Sequence, residues 1–369
     1  MQSECLDDAP ISDARPGDSA LSAAEIWRSV LPTASELTRA RRRLHLKAIV
    51  IVALLVGSYY LLVISSYGVL VRLGSAALLV VAVVALATGV MHDANHGSFS
   101  RHRLVNRVLA YTSDALGASS WLWRFQHNVL HHGNTNIDGF DADLSLSPWG
   151  RLAPTQAWRR RFQWQHIYIW PLYGFLAIKN LVVSDMLSLI HGRVGSQPFR
   201  RKLDAPVLAR IVFGKFVHVA WAVVIPLMFN PWWAVLAFYA VSSWLVGFTL
   251  AMIFQLAHCV DAAEMPDADV PRRGQDFVAH QLLTTVNIAS PVPVVGHMFR
   301  WIAGGLDHQI EHHLAPGLPH TIYPRVAARF RLACETHGVS YRQHSGIWSA
   351  VRSHARWLHM MGRPSISAP

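Results

Sequence analysis

Four long apolar runs limit what this chain can fold into more than any other feature. Residues 47–71, 75–91, 211–229 and 231–257 carry almost no charge, and a helix needs about 20 apolar residues to cross the hydrocarbon core of a bilayer. The second run has about 17, the lower limit, but its helix is expected to continue through His92 and His96. A single run of this kind is often a buried core helix. Four of them in 369 residues, 52% hydrophobic and 15% charged, point instead to an all-α integral membrane protein. Its four transmembrane helices are expected at about residues 48–71, 75–91, 211–229 and 231–257, arranged as two hairpins.

The formal charge is +11, and its placement orients the chain. Arg39, Arg41, Arg42, Arg43 and Lys47 precede the first span. Arg72 alone lies between the first and second spans, and only the uncharged Asn230 links the third and fourth. The positive-inside rule then puts both termini and the middle region in the cytosol. Basic surface there suits anionic lipid headgroups or a phosphate-bearing substrate. No nucleic-acid recognition motif accompanies it, so a nucleic-acid partner is set aside. Cys5, Cys259 and Cys334 are far apart, which argues against a disulfide framework. Asp7, Asp8, Asp13 and Asp18 make the first 20 residues too polar for a cleavable signal peptide.

Residues 1–45 read as a cytosolic arm followed by an amphipathic helix over 21–47, with Ser22 and Glu25 spaced as a capping box. Residues 46–340 form the membrane body and 341–369 a cytosolic tail. The region 92–208 is too long to be structureless. It contains Trp121, Trp123, Trp158, Trp164 and Trp170, which suit helices lying on the membrane surface. The stretch 162–183 is apolar, but Gln163, Gln165, His166 and Lys179 interrupt it, so it is read as interfacial.

Three histidine clusters carry the chemistry: His92-Asp93-Ala94-Asn95-His96, His127-Asn128-Val129-Leu130-His131-His132 and His308-Gln309-Ile310-Glu311-His312-His313. On a helix, residues four apart share a face, so each cluster can aim imidazoles at one point. Imidazole without thiolate suits a non-haem transition metal such as iron, and this many imidazoles point to two ions. One histidine pair alone is more often structural. Three clusters on the cytosolic side, with His258 ending the fourth run nearby, favour metal binding. Asp93, Asn95, Asn128, Asp307 and Glu311 stand between the histidines and are expected to accept their second ring N–H. No G-x-S-x-G, Walker loop, dinucleotide fingerprint or His-Glu-x-x-His occurs. The spans hold almost no ionisable group except His218, which argues against transport through the membrane.

Longer motifs point to a family. Trp123-Arg124-Phe125-Gln126-His127-Asn128 leads into His131-His132, followed by Thr135-Asn136, Asp138, Gly139, Asp141 and Asp143. Phe254-Gln255-Leu256-Ala257-His258 closes the fourth run, with Glu264 and Pro266 beyond it. Gly304-Gly305-Leu306 precedes Gln309-Ile310-Glu311-His312-His313-Leu314, and Pro316, Leu318 and Pro319 follow. Over roughly residues 45–340 this resembles the membrane-bound fatty acid desaturases, in the group whose third box begins with Gln, as in front-end and linoleoyl-type enzymes.

The resemblance implies four spans under a cytosolic helical cap that holds a di-iron centre. It places ligands at His92, His96, His127, His131, His132, His258, His312 and His313, with Gln309 as a weak ligand or a neighbour of one. The chain departs from the usual pattern at His308, where an aromatic is common, and at Asp307, where Asn is common. His308 is four residues from His312 and is an alternative source of an imidazole. The function implied is oxygen-dependent insertion of a cis double bond into a fatty-acyl chain linked to CoA, carrier protein or glycerolipid. Trp121, Trp123 and Phe125 are candidate channel walls. No His-Pro-Gly-Gly of a fused cytochrome b5 domain occurs, so a separate donor is expected, such as ferredoxin or cytochrome b5 with its reductase. The alternatives are a hydroxylase, epoxidase or ketolase on the same iron centre, and a non-catalytic membrane metal-binding or transport protein.

Overall fold

A helix starts where a side chain can satisfy its first free N–H groups and stops where the backbone cannot continue. The computed structural model describes residues 21–200, 202–268 and 276–364. The N-terminal arm to residue 20, with Cys5 and the aspartates read against a signal peptide, lies outside them. Four helices among the described residues are long and apolar enough to cross a membrane: Ala34–Ile64, Val69–His96, Ala205–Phe229 and Trp232–His258. Much of their surface is uncovered protein; Leu70 is 82% exposed and Trp232 68%. Apolar surface on this scale needs a cover, and lipid is the cover that leaves helical backbone satisfied.

The structure moves two expected boundaries. The capping box at Ser22 and Glu25 forms, but its helix ends at Ser29. Pro32 lacks the N–H that continuation needs, and a second capping box, Thr33 with Glu36, starts the next helix. That helix runs unbroken from residue 34 into the first span, so 21–47 is two helices and not one. The link between the first two long helices is 65–68, not the neighbourhood of Arg72. Ser65 leaves the helical conformation while its hydroxyl bonds Leu61 O at 2.6 Å, and Gly68 caps the next helix. Arg72 rides on the second helix and reaches back to Leu62 O at 2.9 Å and to the Asn230 side chain. Its long stem let it sit inside an apolar helix with its charge at the helix end, which made it a poor marker of the break.

The first two long helices pack along one another, and the second also packs on the fourth. The stretch read as interfacial forms two helices, Arg160–Tyr173 and Leu176–His191, bent by 73°. The bend falls at Gly174, where a side chain would run into Trp244. The C-terminal region packs against the rest of the chain. A short parallel pairing joins Gln343–His344 to Asn287–Ile288, and Asn287 donates to Glu311 of the third cluster at 2.8 Å. The last helix, Ile347–Met361, buries Trp357 and Leu358 against Ile169, Tyr173 and Ala251.

Candidate metal centre

Adjacent residues on an α-helix point about 100° apart, and residues four apart point the same way. Both rules shape the site. His92 and His96 end the second long helix and His258 ends the fourth. The helix Gln309–Leu314 presents His312 and His313 side by side. The second cluster differs. Arg124–His131 is wound as a wide π-type turn, with His132 N donating to His127 O at 3.0 Å. An i→i+5 turn brings residues five apart to one face, so His127 and His132 both face inward. Such turns recur at functional sites, and another, Leu86–Met91, precedes His92.

These elements bring the eight histidines into one buried nest. His92, His96, His127 and His312 offer ring nitrogens within 4.8 Å of one another. So do His131, His258 and His313, and so do His132, His312 and His313. The arrangement is two lobes, with His312 and His313 serving one each and His132 between them. His127, His131 and Asp143 form a further grouping of the same width. Nε2 of His92 and Nε2 of His132 each stand 3.2 Å from Nε2 of His127. Nε2 of His96, His131, His258, His312 and His313 is buried with no hydrogen-bond partner. Buried polar atoms are rarely left so. A cation held within each lobe would give these nitrogens a partner, so the donor set fits metal.

The opposite ring nitrogens are held from outside. Nδ1 of His131 lies 3.0 Å from Asp141 Oδ2. Nδ1 of His313 lies 3.0 Å from Gln281 Oε1 and 3.2 Å from the Thr135 hydroxyl. His258 Nδ1 faces Thr284 O at 3.3 Å, and His312 Nδ1 faces the Tyr323 hydroxyl at 3.4 Å. A held Nδ1 fixes the ring and leaves Nε2 for the metal. Burial disfavours a proton on His131, but the adjacent Asp141 carboxylate outweighs it and pushes His131 up to about 9. Burial first, then neighbouring imidazoles, lower His127, His132, His312 and His313, so these remain neutral donors.

The residues between the histidines mostly do something else. Asn128 donates to Asn95 O at 3.1 Å, joining the first two clusters. Asn95 Oδ1 accepts from Arg124 at 2.8 Å. Asp307 accepts from Arg300 at 2.9 Å, and Glu311 takes Asn287 and the Tyr341 hydroxyl, both at 2.8 Å. Of these residues, Asp93 alone faces one of the eight nested imidazoles, with Oδ1 3.9 Å from His92 Nδ1. The reason is the helical step: a residue beside an inward-facing histidine points away from it. The holding groups Asp141, Gln281, Thr135 and Tyr323 come from other elements. Of these, Asp141 and Thr135 stood out in the sequence only as parts of the longer motif.

His308 does not join either lobe. The helix begins at Gln309, so His308 stands outside it as the cap residue, and the four-residue spacing to His312 does not align the two. Its Nε2 is 3.7 Å from Asp307 instead. Gln309 is 1% exposed and its side chain interacts with His258. The two substitutions are therefore expected to differ. Gln309→Ala should lower iron content and product together, while His308→Tyr should be tolerated. Side-by-side assay of both purified variants checks this, and the reverse order would show that His308 is the donor.

The candidate channel aromatics Trp121, Trp123 and Phe125 pack in two places. Trp121 and Phe125 pack on Phe199, at ring-centre distances of 4.9 and 6.1 Å. Trp123 stacks on His127 at 4.3 Å, so it walls the imidazole nest. None of them lines the apolar cavity of about 490 Å³ between the long helices, where Tyr59, Val80, Leu116, Leu181 and His218 are found. His218 is paired with the Tyr239 hydroxyl at 2.9 Å and Ala115 O at 3.1 Å.

Fold and site together define a helical membrane protein with a buried histidine site fit for metal. The family model described as fatty acid desaturase matches residues 67–345. Three relatives align along most of the chain. The acyl-lipid (8-3)-desaturase of Physcomitrium patens is 33% identical over 86% of this chain and 66% of its own length. Two sn-1 linoleoyl-lipid 6-desaturases are also similar. That of Synechocystis sp. is 32% identical over 87% of this chain and 89% of its own. That of Arthrospira platensis is 30% identical over 86% and 85%. The chain belongs to the fatty acid desaturase family, in the branch of the linoleoyl-lipid and front-end enzymes, and is an oxidoreductase of fatty acid metabolism.

Proposed function

We propose that this desaturase inserts a cis double bond into an acyl chain carried on a lipid, at a centre of two iron ions. The observation that carries the reading is the pair of imidazole groups, linked through His132, with unpartnered Nε2 atoms. Eight imidazoles exceed what one ion can use. His92, His96, His127 and His312 would hold one ion, His131, His258 and His313 the other, and His132 lies between. Gln309 stands beside His258 in the second group.

An unactivated methylene has no acidic proton, so side-chain acids and bases cannot open its C–H bond. Iron held by the histidines supplies oxygen-dependent redox chemistry when bound. The chain's own residues position and exclude. Asp141, Gln281, Thr135 and Tyr323 lock ring orientations, which is the pre-organisation such chemistry needs. The nest is dry: His127, His131, His312 and His313 are all nearly inaccessible. Exclusion of water protects reactive intermediates.

The names of the relatives support a glycerolipid-linked substrate over CoA or carrier-protein esters. The basic run before the first span supports two hairpins with the iron site and both termini in the cytosol. Exposed Arg101, Arg103 and Arg107 near the first cluster suit an acidic electron donor. Ferredoxin, or cytochrome b5 with its reductase, fits that description. Purified protein given NADPH, oxygen and acyl lipid alone is expected to be inactive, and adding such a donor with its reductase should start turnover. Turnover without it would refute a separate donor.

The decisive experiment is the lipid profile of a heterologous host expressing the chain, with double bonds located by mass spectrometry, together with iron analysis of the purified protein. New unsaturation and about two irons per chain are expected. Hydroxylated or epoxidised lipids would replace desaturation by the rival outcome. Full activity with one iron per chain would remove the second ion.

A further inference from the structure

A lysine inside an apolar helix is expensive unless something within the protein needs its charge. Lys47, counted with the cations flanking the first span, instead points inward and is 8% exposed. Its Nζ is 2.9 Å from Nε2 of His320 and 5.4 Å above the ring of Trp301. An ammonium group only donates, so Nε2 of His320 accepts and the proton of that neutral imidazole sits on Nδ1. That Nδ1 lies 3.0 Å from Asp93 Oδ2, and the same oxygen takes the His320 backbone N–H at 3.1 Å. The other carboxylate oxygen faces His92 Nδ1. Asp93, His92 and His320 are each no more than 3% exposed. A buried row thus runs from Lys47 through His320 and Asp93 to a member of the first imidazole group.

We propose that Lys47 and His320 are positioning residues for the metal held by His92, His96, His127 and His312. Lys47 holds the His320 ring through Nε2, and Asp93 lies between that ring and His92. His320, fixed in one tautomer, aims that carboxylate at His92, whose Nε2 then keeps its place in the group. The second group is backed differently: Asp141 and Asp143 face His131 Nδ1 directly at 3.0 and 3.6 Å, with no imidazole relay such as His320 between, and Asp141 also accepts from backbone N–H groups at 136 and 143. The two metal positions are therefore supported by different means, and loss of Lys47 should disturb one and spare the other. This rests on the di-iron reading above.

The test is iron release to a chelator, with Mössbauer spectra, for the full-length protein and its Lys47→Met and His320→Gln variants. Groups one step behind a ligand typically change metal affinity by about 10- to 100-fold. Each variant is expected to release half of its iron about 10-fold faster, with altered spectral parameters for one iron of the two. Unchanged release and spectra in folded Lys47→Met overturn the proposal. If that variant does not fold, the same result in His320→Gln overturns it. Loss of the fold in both also overturns it, because the row would then be a stability element. Wild-type protein that binds no iron sinks the di-iron reading itself. Iron-replete wild type with indifferent variants sinks only the role of Lys47 and His320.

Discussion

His131→Ala is expected to abolish product formation while leaving the membrane fold standing. His131 sits where the second lobe meets the rest of the nest. Its ring is 4.7 Å from that of His258 and 4.8 Å from that of His313, centre to centre. Its Nε2 has no other partner, so nothing nearby can take its place at the metal. The long helices do not depend on it, because His131 lies in the second cluster between them and its anchor is Asp141. Iron content should fall by about half or more, and helix content by circular dichroism should not change. Asp141→Asn is the milder companion: the ring stays but loses the nearer of its two carboxylates, Asp143 remaining at 3.6 Å, and metal retention should weaken about 10- to 100-fold. A His131→Ala protein with full iron and activity within tenfold of wild type would remove His131 from the centre.

Gly304→Ala should cost the protein its fold or its third cluster, by a route that has nothing to do with chemistry. Gly304 has φ +61°, a left-handed conformation that a side chain strains. A methyl group there would also run into the carbonyl of Thr88 and stand 3.0 Å from Gly89 N. Both obstacles are backbone of the second long helix, just before His92, and backbone cannot swing aside. The left-handed strain amounts to about 1–3 kcal/mol, and overpacking adds about 1–3 kcal/mol more. Relief requires the third cluster to move away from the first, which would open the lobe shared by His92 and His312. Low yield of folded protein in detergent, or folded protein with depleted iron, is the expected result. A variant with wild-type melting and iron content would show that this contact is loose.

The same contact shows why parts of this protein were legible in its residues and parts were not. The four long helices follow from run length, because a segment of that length and apolarity has few places to go. The histidine clusters were visible because spacing of four is a local rule that any helix obeys. Where the local geometry departs from an α-helix, spacing of four is a poor guide to which side chains meet. His132 reaches the nest through a π-type turn that its spacing did not announce. His308 misses the nest because the helix starts one residue later. Pro32 was the overlooked signal that divided the N-terminal helix, and the Ser65 to Gly68 link was hidden behind the more conspicuous Arg72.

What the residues determined alone was the class: apolar length sets the number of candidate spans, and donor chemistry sets the kind of site. Tertiary structure decided how that site is held. Gln281 meets His313, Thr135 meets the same ring, and His320 meets Asp93. These partners lie 32, 178 and 227 positions apart in the chain. A hydrogen bond of 3 Å depends on where two elements finally pack. No periodicity within either element records that, so the donors could be read from the chain and their supports could not.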